Sequence, residues 1–72
     1  MTAKTLEKLE TTPFKATLEY KKKMRKRFIE RELHKEAREV QTSIAGYLHA
    51  MKDAGVITES ERSVLYTYYG TI

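Results

Sequence analysis

Apolar side chains recur at helical spacing along most of the chain. At 100° per residue, Phe14, Leu18, Phe28, Ile29, Leu33, Ala37, Val40, Ile44, Tyr47, Leu48, Met51 and Ala54 fall within roughly half of one helix circumference. From Leu33 onward the positions Leu33, Ala37, Val40, Ile44, Tyr47, Met51 and Ala54 alternate steps of four and three, the spacing of a packed heptad seam. Followed backward, the seam meets Glu30, Lys26 and Lys23 and stops. After Pro13 no proline interrupts the pattern, and Gly46 is the only glycine before Ala54. The spacing predicts a helix over about 28–54, with the chain free to continue it back to 13.

Asp53-Ala54-Gly55-Val56-Ile57-Thr58 ends that helix. Gly55 can take the left-handed conformation that closes a helix without a steric cost. Thr58 and Glu61 then form a capping box, each side chain satisfying a backbone N–H of the other residue. Val64, Leu65 and Tyr68 supply the apolar face of a returning helix over 59–69. Strand propensity in Val64-Leu65-Tyr66-Thr67-Tyr68-Tyr69 competes with this, and the capping box with 3–4 spacing decides for helix. The phrase Ala54-Gly55-Val56-Ile57-Thr58, with Glu61 three residues on, resembles the turn of short helical hairpins, including small C-terminal hairpin modules. The likeness implies turn geometry and carries no function.

Upstream, Leu6 and Leu9 are the only apolar anchors of a short helix over 2–11, either docked or frayed. Thr12-Pro13 marks a boundary, threonine as N-cap and proline at the first helical position. The expected organisation is thus an N-terminal segment 1–12 and a single domain 13–72. Its expected class is all-α, a helical hairpin.

Composition narrows the function. Seventy-two residues without cysteine leave no disulfide and no thiolate metal site to reinforce a thin core. Self-association is therefore expected, with Leu33, Val40, Ile44, Tyr47 and Met51 of the seam facing a second copy. No apolar run reaches membrane-spanning length and no secretory leader opens the chain, so a cytoplasmic, non-membrane protein is expected.

The formal charge of +4 is concentrated. Lys21, Lys22, Lys23, Arg25, Lys26 and Arg27 place six cations in seven residues. Without them, eight basic side chains face ten acidic ones, a net of −2. On a helix Lys22 and Arg25 point toward the apolar arc, Lys23 and Arg27 away from it, and Lys21 and Lys26 near its edges. Charge thus surrounds the helix, so the segment is expected to pack into a core on no side, projecting into solvent or lying on a polyanion. With Arg31 one turn further on, it is the candidate contact for DNA or RNA phosphates. A basic-region zipper is disfavoured because the arm lacks its asparagine and alanine positions and only about three heptads follow. A helix-turn-helix is disfavoured because Glu61 stands where a buried aliphatic residue is required.

Chemistry-bearing side chains are sparse. Glu30 with His34, and His49 with Asp53, are two-residue pairs, short of the three or four ligands of a zinc site, so no metal and no cofactor is expected. Ser43, Ser60 and Ser63 lack a glycine-flanked elbow, and the carboxylates alternate with Lys and Arg as surface pairs. No small-molecule substrate and no catalysis are expected. Tyr66 and Tyr69 are expected to form an exposed aromatic patch suited to a protein interface. The leading expectation is a small accessory or regulatory protein that binds nucleic acid. The alternative is an adaptor or inhibitor that docks on a larger enzyme or polymerase complex. In size and style the chain resembles accessory products of bacteriophages and other mobile elements.

Overall fold

Each half of the apolar pattern folds into its own helix. The computed structural model describes residues 2–10 and 12–70. It contains α1 (Thr2–Leu9), α2 (Pro13–Glu30), α3 (His34–Asp53) and α4 (Glu59–Gly70) packed against one another, with no strand among the described residues. The expected long helix from 13 to 54 is broken at 31–33, and the part expected over 28–54 starts only at His34. There the amide of Leu33 donates to the Phe28 carbonyl at 2.8 Å and that of Glu32 to the Ile29 carbonyl at 3.0 Å. This is the Schellman closure, with Glu32 at φ 58° in the left-handed region that normally favours glycine. The continuous apolar arc concealed the break. Ile29 and Leu33 are one turn apart in phase, and α2 and α3 run antiparallel with their apolar faces toward the same core.

The second turn is as the sequence describes it. Gly55 lies at φ 78°, its amide bonded to the Lys52 carbonyl, and Val56 N–H reaches the Met51 carbonyl. Thr58 N–H donates to Glu61 Oε1 at 2.8 Å, and Glu61 N–H donates to Thr58 Oγ1 at 3.1 Å, the reciprocal capping box. At the start of α2, Thr12 holds the N-cap position with extended backbone and Pro13 follows. Its hydroxyl, however, donates back to the Leu9 carbonyl at 2.7 Å and caps no α2 amide.

Leu9, Leu18, Ile44, Leu48, Met51, Ile57, Leu65 and Tyr69 form the core, with Phe14, Val40, Tyr47 and Tyr66 packed at its margin. Contributions come from all four helices. The seam expected to face a second copy is therefore consumed inside the protomer: Ile44 and Met51 are buried, Val40 and Tyr47 are half-buried, and only Leu33 stands out, 39% exposed. The reason is that α2 packs along α3 and supplies the cover a two-helix hairpin lacks, while α1 closes over α2 and α4. Burying Leu9 and Leu18 adds roughly 1.5–3 kcal/mol each that the hairpin alone would forgo.

The aromatic patch shifts for a related reason. Helix α4 touches α1, α2 and α3, so its buried face is wider than one hairpin stripe and centres on Leu65 and Tyr69. Tyr69 is fully buried and its hydroxyl donates to Glu19 at 3.1 Å, which excludes it from an exposed patch. Burial first, and the nearby Glu19 carboxylate second, push its phenol above the ordinary range. Tyr66 is half-buried, its oxygen accepting from Gln41 Nε2 at 2.9 Å. The exposed ring is that of Tyr68.

Candidate nucleic-acid interface

Helix α2 carries the basic segment, and its packing sorts the cations into two groups. With Leu18 at the centre of the buried face, Lys22, Arg25 and Ile29 recur one, two and three turns on, and Lys21 lies at its margin. These side chains are half-buried. Lys21 Nζ donates to Ser43 Oγ at 2.7 Å and lies 5.9 Å from the Tyr47 ring centroid. Lys22 Nζ stands 3.9 Å over the ring of Tyr68 and 6.0 Å from that of Tyr69, within cation–π reach. Arg25 Nε is buried and has no hydrogen-bond partner among the described residues. The expectation that the segment packs on no side is thus corrected: the long stems of Lys21, Lys22 and Arg25 cover apolar surface while their heads reach its rim.

Lys23, Lys26, Arg27 and Arg31 are different. All four are exposed, and Tyr20, Lys23, Arg27 and Arg31 follow at steps of three and four on the solvent side of α2. Tyr20 is 64% exposed and heads this row. No ion pair among the described residues involves any of the four cations.

The carboxylates that form ion pairs lie elsewhere. Lys8 pairs with Glu61 at 2.8 Å and Lys15 with Glu10 at 2.6 Å. Lys52 and Arg62 both meet Glu59. The Arg62 guanidinium holds the Glu59 carboxyl down at about 2, and Lys8 with the Thr58 amide lowers that of Glu61. His49 lies 3.5 Å from Asp53, both largely exposed. Charge is thus neutralised at the α1–α4 end and along the end of α3, while on the outer face of α2 the exposed cations Lys23, Lys26, Arg27 and Arg31 outnumber the one exposed carboxylate there, Glu30. That is the arrangement that concentrates a positive field at one contact surface.

Between α2 and the first half of α3 runs an open groove of about 360 Å³. Tyr20, Met24 and Phe28 of α2 and Val40 of α3 give it an apolar lining, with Lys21, Ser43, Glu36 and Glu39 as its polar members. The Lys21–Ser43 hydrogen bond lies at the end away from the 31–33 turn. The groove as a whole is not legible in the sequence, because it needs the antiparallel pairing of α2 with α3. Tyr20 and Phe28, which flank the basic segment, are its legible sign in the sequence. Among the described residues no three His, Asp or Glu side chains gather as a metal site would require. No described helix is long and apolar enough to cross a membrane.

Comparison with protein-family models, with curated proteins and with solved structures gives no match to this chain.

Proposed function

We propose that this chain is a non-enzymatic accessory protein of the cytoplasm that binds nucleic acid through the outer face of α2. Lys23, Lys26, Arg27 and Arg31 are the phosphate contacts, while Lys21, Lys22 and Arg25 serve the α2 packing. One observation carries the reading: four exposed cations share one helical face and none of them forms an ion pair among the described residues, while the ion pairs cluster elsewhere. Cations left unpaired on one face cost the fold little and are available to displace the counterions of a polyanion.

The test is a salt titration. Four phosphate contacts give a slope of log affinity on log salt of about −3 to −4. Lys23→Gln, Lys26→Gln and Arg27→Gln together are expected to flatten it by about two to three units while the thermal melt stays unchanged. Lys22→Gln is expected to lower the melt instead, through the lost contact with Tyr68. Absence of binding at about 50 mM salt, where phosphate contacts are strongest, rejects the reading.

The apolar lining of the α2–α3 groove supports a second reading, an adaptor or inhibitor that docks on a larger enzyme or polymerase complex. Capture of partners that survives nuclease treatment favours it over the first.

A further inference from the structure

We infer that the α2–α3 groove receives an unpaired nucleobase, which makes single-stranded nucleic acid the preferred ligand. The inference rests on the phosphate-binding reading of α2 and adds what lies beside it. Tyr20 belongs to both surfaces: it heads the row that continues through Lys23 and Arg27, and it lines the groove with Met24, Phe28 and Val40. A strand whose phosphates follow the outer face of α2 therefore has its bases next to an aromatic ring and an apolar cleft. Stacking on such a platform tolerates any base, because every base has a π-face.

Charge fixes which side of the strand goes where. The outer face of α2 is cationic, and the groove's far side carries Glu36 and Glu39 of α3. Phosphates are attracted to the first and repelled by the second, so the backbone stays on α2 and the bases turn toward α3. Carboxylates are acceptors only, and they suit the exocyclic amino groups of cytosine, adenine and guanine. In a duplex those bases are stacked and paired, with no face free to enter a groove. The second strand of a duplex would also bring its own phosphates toward Glu36 and Glu39.

The experiment uses the full chain and short fluorescent oligonucleotides of oligo-dC, oligo-dT and mixed-sequence duplex at about 50 mM salt. Oligo-dC is expected to bind about tenfold or more tighter than the duplex, and tighter than oligo-dT, which has no exocyclic amino group. Tyr20→Ala, a change at an exposed position, is expected to weaken single-strand binding by about 5- to 150-fold and leave duplex binding nearly unchanged. Glu36→Gln with Glu39→Gln is expected to raise duplex affinity and erase the dC over dT preference. On adding oligo-dC, the methyl resonances of Met24 and Val40 are expected to shift. Equal affinity for duplex and single strand, with Tyr20→Ala neutral toward both, overturns the inference and leaves the phosphate reading standing. Perturbation confined to Lys23 and Arg27, with Met24 and Val40 silent, also overturns it and gives the groove to another occupant such as a peptide. No binding to any oligonucleotide overturns both.

Discussion

The two turns of this protein share one geometry and reach it by different means. At 31–33 and at 54–56 the chain closes a helix with the same pair of backbone hydrogen bonds, one from the left-handed residue and one from its successor. Gly55 occupies the left-handed position of the second turn at φ 78°, with open space around it. Glu32 occupies that of the first at φ 58°, where a side chain costs about 1–2 kcal/mol. The second turn is followed at once by the Thr58–Glu61 capping box. The first is followed by Leu33, whose side chain caps nothing at the start of α3. The second turn is therefore specified locally. The first is held by what it joins, the packing of α2 along α3, the two helices that meet most extensively among the described residues. A disfavoured backbone persists where the surrounding structure over-determines it.

Substitutions at the two turns sharpen or break this contrast. The largest effect is expected of Gly55→Val, which forces a β-branched residue into the left-handed region and is expected to cost about 2 kcal/mol. In a domain of this size that is a fall of roughly 8–16 °C in the thermal midpoint. An unchanged midpoint would mean that Gly55 is not the local determinant. Next comes Thr58→Ala, expected to cost about 1 kcal/mol through the lost cap, a fall of roughly 4–8 °C.

Glu32→Gly is expected to act in the opposite direction. Relief of about 1–2 kcal/mol is offset by about 0.5–1 kcal/mol of extra freedom in the unfolded chain. The net expectation is a rise of a few degrees in the same melt. A loss of stability there would show that Glu32 makes a contact worth more than its strain.

The smallest effect concerns the charge within the capping box. Glu61 and Glu59 have carboxyls lowered from 4.5, by Lys8 and by Arg62 respectively. A lowered carboxyl stabilises the fold at pH above 4.5, and that contribution fades as pH falls toward 2. Glu61→Gln keeps a hydrogen-bonding side chain at the cap and removes only the charge. Its midpoint is expected to lie slightly below the parent at neutral pH and to converge with it in acid. A gap that widens in acid would contradict the assigned pairing with Lys8.

The contrast between the turns also explains which parts of the molecule were legible. The helix over 34–53, the Gly55 turn, the capping box and the returning helix rest on residues within a few positions of one another, and the chain displays them directly. The 31–33 reversal rests on no turn residue at all. Arg31, Glu32 and Leu33 are all compatible with a continuing helix, and the apolar arc passes through them in phase. The same limit governs the basic segment. Six cations in seven residues, with Lys22 and Arg25 phased toward the apolar arc and Lys23 and Arg27 away from it, are plain to read, but that the Lys22 and Arg25 side packs half-buried depends on where Leu18 faces. Tyr68 and Tyr69 exchanged their expected roles because α4 meets three neighbours instead of one.

The sequence by itself determined an all-helical chain, its Gly55 turn, and a concentrated cationic segment with an aromatic at its head. Those features follow from spacing, backbone permissiveness and charge, which act over one or two helical turns. Only the tertiary structure decided that the long apolar arc is two antiparallel helices and that the seam on α3 is covered by the chain's own α2 beside α4. It also decided that Lys21, Lys22 and Arg25 pack half-buried, and that Tyr20, Met24 and Phe28 share a groove with Val40. Each of those outcomes turns on contact between residues far apart in the chain, such as Lys21 with Ser43 or Tyr69 with Glu19, which local pattern does not encode.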